Sequence, residues 1–436
     1  MTRVLLEIHE GRVAGALLEN GLLDRLTGAG AEVLVLTPGA RVPEFVERHG
    51  KSGVRFVHLP VQEALSRAEG LQRRLDRRLA GRSHSRASRS VAKGRFGPAR
   101  RTLWRAAETL ALRRAGRELD LIRRWRPDVV VASHVLHGYG RCLVAAAHRL
   151  GVPTVGNLLS WDNAYRGVAS RPRWMTCWSE TNRRELARLW GFPPERTVAV
   201  GAPFFDAYLA PDGSWSRQEL CRRLGLDPER PILLFATLGQ FRPDLDETSP
   251  FAALLRTIDA GRIPGRPQVV LRLHPTSRLA FFKRWTGRPD VVVSRYEGYH
   301  PGLGWSPDRD EMTLAGNLFR HADAVVSPGS TVTLEAAIFD TPTVVPVFNE
   351  VMPQEYERFF SSVWLEGHLR PLVADRLLTV TRSAEETARE VTRALEDPRR
   401  GRRERAEIRA RYLEPLDGRA TERFAQVVLD AAEDRG

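Results

Sequence analysis

The sequence predicts an α/β protein of two Rossmann-like domains that face a cleft, with an Arg-rich helical insertion in the first domain and helices at the C-terminus. The chain has 436 residues, more than the roughly 100–200 residues of one ordinary domain. Short β-branched runs alternate with helix-length polar stretches, which is typical of parallel α/β sheets. The alternation pauses once, at a stretch rich in Pro and Gly over residues 201–213, and then restarts.

The first domain is predicted over residues 1–210. Its first apolar run is short and broken by Glu7, which favours a first strand of a cytosolic protein over a signal peptide. From Ala14 to Leu26 an apolar residue recurs at every fourth position, which predicts one buried helix face. The predicted strands are Val4–Ile8, Glu32–Thr37, Val54–Leu59, Asp128–Ser133, Pro153–Leu158, Trp174–Trp178 and Thr197–Val200.

The second domain is predicted over residues 211–400, after the linker at residues 201–213. The sequence from residue 384 onwards is charged and reads as helical, and residues 401–436 are predicted to form separate C-terminal helices. The predicted strands of this domain are Ile232–Thr237, Gln268–Leu273, Val291–Arg295, Ala322–Ser327 and Thr343–Val347.

Basic residues are concentrated in one segment. The chain has 67 Lys+Arg against 53 Asp+Glu, a formal net charge of +14, and Arg67–Arg126 alone holds 19 basic and 5 acidic residues. This segment predicts a helical insertion, over about residues 64–126, that decorates the first domain. Two interpretations stay open: a solvated insertion, and a surface that docks on the anionic inner face of a membrane. Nucleic acid is disfavoured as a partner because no zinc-finger, RNP or basic-zipper pattern accompanies the charge.

Several classes of protein are excluded. Cys142, Cys177 and Cys221 are widely separated and odd in number, which excludes a disulfide framework or a zinc site built from them. No stretch approaches the ~18 consecutive apolar residues of a membrane-spanning helix. P-loop, dinucleotide and nucleophile-elbow patterns are absent from the sequence. Since the Asp-x-Asp pairs at 244–246 and 308–310 have a spacing common in polar loops, we predict no metal site and no cofactor.

Residues 322–346 carry the clearest binding pattern. A predicted strand runs into Gly329, and Ser330 and Thr331 then open a helix whose N–H groups and positive dipole end suit a diphosphate. The alternative is a simple helix cap. Glu335 is not three residues after the cap, as a capping box requires. It follows Thr331 by one turn, where its carboxylate would accept hydrogen bonds from ribose hydroxyls.

Two further strand ends carry candidate donor-binding residues. One buried strand ends in Arg272 and His274, at the edge where open α/β sheets bind ligands. Both side chains would neutralise a phosphate leaving group, although an isolated histidine is more often structural. The strand before it ends in a turn of small residues through Thr237 and Gly239, which lets the backbone approach a ligand closely.

The first domain offers two candidates for a catalytic base. His9 follows the first strand, and Asp162 with Asn163 follows another strand end. Either His9 or Asp162 would accept the proton of an attacking hydroxyl if the group reaches it and has a pKa near the working pH. The structural alternatives are an Asx turn for Asp162 and a helix-cap contact for His9.

Four sequence blocks in a fixed order resemble a known family. They are SWDNAYRG, WSETNRRELARLWGFPPERTVAVGAPFFD, RLHP and ADAVVSPGSTVTLEAAIFDTPTVV. Together they resemble the GT-B-fold glycosyltransferases of bacterial surface-glycan synthesis, with neighbouring resemblances to the CDP-glycerol glycerophosphotransferases and the UDP-N-acetylglucosamine 2-epimerases. The resemblance covers roughly residues 1–60 and 128–400. The chain lacks the aspartate-rich segment of the phosphotransferases and the Gly-Thr-Arg-Pro-Glu opening of the epimerases.

The resemblance implies that the first domain binds the acceptor and the second binds a nucleotide-activated donor. Gly329, Ser330 and Thr331 would hold the donor diphosphate and Glu335 the ribose, with the phosphates also held by the residues of the RLHP block. The final helices would cross back to the first domain. A catalytic metal is not expected in this family.

The predicted function is therefore a cytoplasmic, metal-independent glycosyltransferase, placed in the cytoplasm or peripherally at the inner membrane face. It would move a sugar from a nucleotide donor to a hydroxyl of a surface-glycan or lipid-linked acceptor, with Asp162 or His9 as the base. The alternative enzyme transfers an alcohol phosphate such as glycerophosphate from a CDP donor. The alternative outside catalysis is a nucleotide-binding scaffold that has lost turnover.

Overall fold

The protein is described here from a computed structural model. It describes residues 1–59, 109–135, 139–239, 246–300, 302–329, 331–361 and 369–434, apart from single positions at 110, 114, 167 and 169. Most of the Arg-rich segment, residues 67–108, and the predicted donor residue Ser330 lie outside the described residues. The membrane-docking hypothesis for that segment therefore stays a prediction.

The strands follow the predicted alternation. All twelve predicted strands are present, with ends displaced by at most two residues. In chain order the strands are β1 (Arg3–Glu7), β2 (Glu32–Thr37), β3 (Val54–His58), β4 (Val129–Ala132), β5 (Thr154–Asn157), β6 (Trp174–Cys177), β7 (Thr197–Ala199), β8 (Ile232–Ala236), β9 (Gln268–Leu273), β10 (Val291–Arg295), β11 (Tyr299–His300), β12 (Gly304–Trp305), β13 (Ala324–Val326), β14 (Thr343–Pro346) and β15 (Thr379–Thr381).

The helices are short to medium in length. Within the described residues, no helix combines the length and the apolar character that crossing a membrane requires. In chain order they are α1 (Gly11–Leu17), α2 (Leu22–Gly28), α3 (Pro43–His49), α4 (Gly116–Trp125), α5 (Tyr139–Arg149), α6 (Asn163–Arg166), α7 (Glu180–Trp190), α8 (Asp206–Leu209), α9 (Arg217–Leu224), α10 (Ser249–Asp259), α11 (Leu279–Phe282), α12 (Arg309–His321), α13 (Val332–Ile338), α14 (Pro353–Phe360), α15 (Arg370–Ala374), α16 (Ala384–Glu396), α17 (Arg402–Tyr412) and α18 (Ala420–Glu433).

The strands form two parallel sheets, which confirms the predicted pair of Rossmann-like domains. The first sheet has the order β3-β2-β1-β4-β5-β6-β7, and the second has the order β10-β9-β8-β13-β14-β15. Every strand pair in both sheets is parallel. The central strand β8 is fully buried and β1 is buried from Val4 to Glu7, because helices cover both faces of a parallel sheet.

The chain divides into two compact units. The first unit contains Met1–Ala207, Gly298–Arg309 and Glu414–Gly436, and the second contains Tyr208–Glu297 and Asp310–Leu413. The division at Ala207 falls within the predicted linker, where the chain forms short helical turns instead of an extended segment. Of the C-terminal helices, α18 belongs to the first unit and α17 to the second.

Two local predictions are wrong. The periodicity from Ala14 to Leu26 predicts one helix, but the chain forms α1 and α2, because Gly21 adopts a left-handed conformation (φ +80°) between them. Asn20 supports the break, since its side-chain amide donates to the carbonyls of Ala16 and Pro203. The hairpin β11–β12, whose strands have only two residues each, and the edge strand β15 are absent from the predicted strands.

The end of the predicted insertion is part of the first domain's core. Helix α4 buries Ile122 and Trp125 against the first sheet. The prediction that residues up to 126 only decorate the domain is therefore wrong for this helix. The physical reason is that β3 and β4 are parallel strands of one sheet, and such strands need a crossover connection that returns the chain to the same edge.

The start of helix α18 is capped by a residue far away in the sequence. The buried carboxylate of Asp206 accepts hydrogen bonds from the backbone N–H groups of Ala420 (3.0 Å) and Thr421 (2.7 Å). Both N–H groups are buried and, at a helix start, have no intrahelical acceptor. Asp206 thus fixes α18 within the first unit, where the helix contacts β4 and β5.

We expect Asp206→Ala to lower the free energy of unfolding by about 1–3 kcal/mol, because it leaves buried N–H groups without acceptors. Urea denaturation followed by circular dichroism measures the change. The matched control is Glu422→Ala on the same helix, whose exposed ion pair with Arg419 should contribute less than about 1 kcal/mol. Equal effects of the two substitutions would contradict the capping role.

Candidate functional site

Polar side chains collect at the carboxyl end of each sheet, and we describe one cluster in each unit. The carboxyl ends of parallel strands lie at the same edge, so residues distant in sequence meet there. In the second sheet β9, β8 and β13 are neighbours, and these three strands carry the predicted donor-binding residues. In the first sheet β1, β4 and β5 are neighbours, and their ends carry His9, His134 and Asp162.

Arg272 lies near the end of β9 and is held by two polar partners. Its Nη1 donates to the Ser294 hydroxyl (2.9 Å), and its guanidinium forms an ion pair with Glu311 on α12. Sequence analysis missed Glu311, because an acid within a helix carries no signal of a partner on a distant strand. Burial lowers the pKa of Arg272, but a guanidinium stays charged at neutral pH. The ion pair therefore holds the Arg272 guanidinium in one orientation at the carboxyl edge of the sheet.

His274 lies in a turn that four small or polar residues hold. Its backbone N–H donates to the hydroxyl of Thr237 (2.8 Å), which in turn lies 2.9 Å from the hydroxyl of Ser277. The ring Nδ1 lies 2.8 Å from the hydroxyl of Thr276. Gly239 has φ +85°, and a Cβ at this position would lie 2.3 Å from Nδ1 of His274. The predicted residues Thr237, Gly239 and His274 are therefore brought together, and the glycine is required by the close approach.

Glu247 supports the same turn and was not found by sequence reasoning. One carboxylate oxygen accepts hydrogen bonds from the N–H of Gly239 (3.2 Å) and the hydroxyl of Ser277 (3.1 Å). The other oxygen is buried and has no hydrogen-bond partner within the described residues. Burial raises the pKa of Glu247, while these hydrogen bonds act in the opposite direction. A single acid in a polar loop gave no sequence signal for this role.

The loop after β13 contributes the third part of the cluster. Gly329 has φ +91°, which glycine adopts without strain, and Thr331 is the N-cap of α13. The Thr331 side chain makes no capping hydrogen bond, so its hydroxyl does not act as the helix cap of the structural alternative. The hydroxyl of Ser327, at the end of β13, is fully buried and has no partner within the described residues. The hydroxyl groups of Ser327 and Thr331 are therefore not engaged in capping α13.

Glu335 is positioned by a tyrosine that sequence analysis did not single out. The Tyr208 hydroxyl donates to Oε2 of Glu335 (2.7 Å), and its ring packs between Phe319 and Phe339. Burial raises the pKa of both groups, and the negative charge of Glu335 adds to the rise for Tyr208. Because Tyr208 occupies Oε2, a ribose hydroxyl would have to bind the other carboxylate oxygen of Glu335.

The cluster of the first unit is centred on two parallel imidazole rings. The rings of His9 and His134 are stacked, with centroids 6.1 Å apart and an interplanar angle of 9°. His9 lies between two carboxylates: Nδ1 contacts Glu7, and Nε2 lies 3.1 Å from Oε1 of Glu10. The same oxygen lies 3.4 Å from Nδ1 of His134. Sequence analysis missed His134, although it stands two residues after the end of β4, as His9 stands two residues after the end of β1.

The charge state of His9 depends on the two carboxylates. Burial alone would lower the pKa of this imidazole, but Glu7 and Glu10 outweigh burial and raise the pKa to about 10. The carboxylate of Glu7 is 1% exposed, and one of its oxygens has no hydrogen-bond partner within the described residues. Buried charge is therefore balanced within the cluster rather than by solvent.

Asp162, the other predicted catalytic residue, immediately precedes a residue of this cluster. It lies in the turn after β5 and is buried. The next residue, Asn163, has its Nδ2 3.0 Å from Nε2 of His134, whose ring stacks on that of His9. The two residues that the sequence proposes as alternative bases thus follow strands of one sheet edge, and the residue after Asp162 contacts the ring that stacks on His9.

The chain as a whole is similar to known proteins in structure but not in sequence. No protein-family model matches the chain, and no curated protein matches its sequence. Solved structures do match. MnaA from S. aureus, solved with UDP, is 13% identical with a TM-score of 0.56, covering 97% of this chain and 95% of that one. The UDP-GlcNAc 2-epimerase from Neisseria meningitidis, solved with UDP-GlcNAc, is 11% identical with a TM-score of 0.55, covering 99% and 100%.

A glycosyltransferase is also among the similar structures. CalG4, the calicheamicin glycosyltransferase, is 16% identical to this chain with a TM-score of 0.53, and the similarity covers 100% of this chain and 99% of CalG4. These matches show that the chain has the GT-B fold, as the sequence resemblance implies.

We expect Gly239→Ala to destabilise the protein more than Gly261→Ala. Both glycines have positive φ, so each alanine is expected to cost about 1–2 kcal/mol of backbone strain. At Gly261 no atom lies within 4 Å of the added Cβ, whereas at Gly239 the Cβ meets the ring of His274. Urea denaturation of both variants measures the difference. Equal destabilisation would mean that the close approach to His274 is not a constraint.

Proposed function

We propose that this GT-B-fold chain is a glycosyltransferase that moves a sugar from a nucleotide-activated donor to a hydroxyl of a surface-glycan or lipid-linked acceptor. The second unit binds the donor and the first unit supplies the catalytic base. The enzyme acts in the cytoplasm or at the inner membrane face, as the resemblance of its sequence blocks implies.

The observation that carries the proposal is the convergence of the donor-binding candidates at one sheet edge. The ends of three neighbouring strands bring together Arg272, His274 and the Gly239 turn, followed by Gly329 and Thr331 after β13. Positive charge, a backbone that permits close approach and hydroxyl groups are what recognition of a diphosphate requires. They were predicted from separate strand ends, and the additional support is that β9, β8 and β13 are neighbours in the sheet.

Departure of the nucleotide is helped by charge in the second unit. As the sugar leaves the diphosphate, negative charge grows on the phosphate oxygens, and a fixed cation at that position lowers the barrier. Arg272 is held in one orientation by Glu311 and Ser294, so it would need little reorganisation when the charge develops. His274 adds a second donor. This step uses no metal at the diphosphate.

For the proton transfer we place Asp162 ahead of His9. Both ring nitrogens of His9 lie against carboxylates, Glu7 and Glu10, so neither nitrogen faces an open position for a hydroxyl. Asp162 supplies a buried carboxylate in the turn after β5, next to Asn163, whose side chain contacts His134. His9 would then organise the polar group around the base.

UDP is the first nucleotide to test, because two of the similar structures were solved with UDP or UDP-GlcNAc. We expect a nucleoside diphosphate to raise the melting temperature of the purified protein, since a ligand at 100 times its Kd adds about 2.7 kcal/mol of apparent stability. GDP, CDP, CMP, ADP and dTDP complete the screen. Stabilisation by CDP alone would move the CDP-alcohol phosphotransferase to first place.

The donor residues are tested with His274→Ala and Thr331→Val, each expected to weaken binding of the stabilising nucleotide at least about tenfold, the effect of losing one good hydrogen bond. Thr379→Val, at the amino end of β15, is the matched control and should bind as the unchanged protein does. If no nucleotide binds, the proposed donor site and the alternative of a nucleotide-binding scaffold are both wrong.

The base is tested by the release of nucleoside diphosphate from the matching nucleotide sugar. We expect Asp162→Asn to lower kcat by about 10²–10⁴-fold, the usual contribution of a positioned base, with nucleotide affinity unchanged. The control is Asp212→Asn, at an exposed aspartate after α8. Full activity of Asp162→Asn would show that the base is another residue, while loss of nucleotide binding would indicate a structural role.

A further inference from the structure

We propose that Glu10, His9 and His134 form a binding site for a divalent transition-metal ion of the zinc class, with Glu7 and Asn163 orienting the two imidazoles. The proposal goes beyond the transferase reaction and stands on the first unit alone. It does not depend on the identity of the donor or on the site in the second unit.

The two distances from Glu10 to the imidazoles match a four-coordinate site. Oε1 of Glu10 lies 3.1 Å from Nε2 of His9 and 3.4 Å from Nδ1 of His134, and all three atoms lie within 4.8 Å of one another. Zinc bonds to nitrogen and oxygen of about 2.0–2.1 Å at tetrahedral angles place ligand atoms about 3.3–3.4 Å apart. The two contacts of Glu10 therefore need shifts of only a few tenths of an ångström, while the two imidazole nitrogens, which lie within 4.8 Å, close around the ion.

The atoms behind the His9 ring favour the ligating form of its imidazole. A metal-bound histidine needs a lone pair on one ring nitrogen. The lone pair is kept there when the other nitrogen carries the proton and donates a hydrogen bond to an acceptor. The buried carboxylate of Glu7 contacts Nδ1 of His9 and holds one proton there. An ion that binds at Nε2 displaces the second proton of the ring and uses the lone pair that faces Glu10. This is the carboxylate–histidine–metal arrangement.

Asn163 can do the same for His134. The side-chain amide of Asn163 is fully buried, with Nδ2 3.0 Å from Nε2 of His134, and its Oδ1 has no hydrogen-bond partner within the described residues. A rotation of the amide by 180° exchanges the two atoms. Its oxygen then accepts a hydrogen bond from the N–H at Nε2, and the lone pair of Nδ1 in His134 faces Glu10. The rotation also gives the unpartnered oxygen a donor.

The chemistry of the ligands selects the class of ion. Two imidazoles and one carboxylate suit zinc, copper, nickel or iron, whereas calcium and magnesium prefer sites made of oxygen. The imidazoles are buried, but 27% of the Glu10 side chain is exposed, which gives an ion a path into the site. Three protein ligands leave a fourth position for water or a hydroxyl. With metal bound, His9 is a ligand, and Asp162 is the remaining candidate for the base.

The test titrates the full-length protein, freed of metal by chelator and desalting, with Zn²⁺ by calorimetry and with Co²⁺ by visible absorption. We expect one equivalent of metal to bind, and Co²⁺ to show the intense visible bands of a four-coordinate site. Glu10→Gln and His134→Ala should each abolish this binding. Glu7→Gln should weaken it about 10–100-fold, the usual effect of losing a partner behind a metal ligand. His148→Gln, at an exposed histidine of the same unit, should leave it unchanged.

Two results would overturn the proposal: no stoichiometric binding by the unchanged protein, or equal binding by the Glu10→Gln and His134→Ala variants. Because Glu10→Gln preserves the shape of a partly exposed side chain, its thermal unfolding confirms that a loss of binding is not a loss of fold. Nucleotide binding by the same variants is measured in parallel. It should be unchanged, so failure of the metal site and failure of the proposed donor site are distinguished.

Discussion

The parallel arrangement of both sheets is the constraint on which the functional clusters depend. In a parallel sheet all carboxyl ends lie at one edge, and each strand is followed by a loop that must turn into a helix. Residues such as Arg272, His274 and Gly329 are up to 57 positions apart in sequence, yet they stand at the carboxyl ends of β9 and β13, which both pair with β8. The same geometry brings His9, His134 and Asp162 to one edge of the first sheet. The chemistry of each unit is therefore a consequence of strand order.

The fold was predictable because its signals are local. Runs such as Glu32–Thr37, Gln268–Leu273 and Val291–Arg295 are bounded by turn residues and match the strands exactly. Where the prediction failed, the structure depends on a contact or a backbone conformation that the pattern of apolar residues does not indicate. Gly21 interrupts a continuous apolar face, and α4 looks like part of a basic insertion although its Trp125 and Ile122 complete the core.

The candidate sites were predictable only in part. The rule that strand ends carry ligands found His9, Arg272 and His274, which stand directly at or after strands. It did not find Glu311, Glu247 or Tyr208, because these residues act through partners far away in the sequence and sit in helices or loops without a distinctive pattern. His134 differs from them. The same rule applies to it, since it stands two residues after β4, as His9 stands two residues after β1.

The two clusters differ in how they balance buried charge. In the second unit, Arg272 and Glu311 form a complete pair, so a diphosphate would be recognised by a cation already fixed in direction. In the first unit, two carboxylates face two imidazoles, and a buried ion without a partner is costly. Balance there requires positive charge inside the cluster, either as protons on the imidazoles or as a metal ion held by His9, Glu10 and His134. Because a proton and a metal compete for the same ring nitrogens, the occupant of this cluster decides whether His9 orients the base or holds the ion.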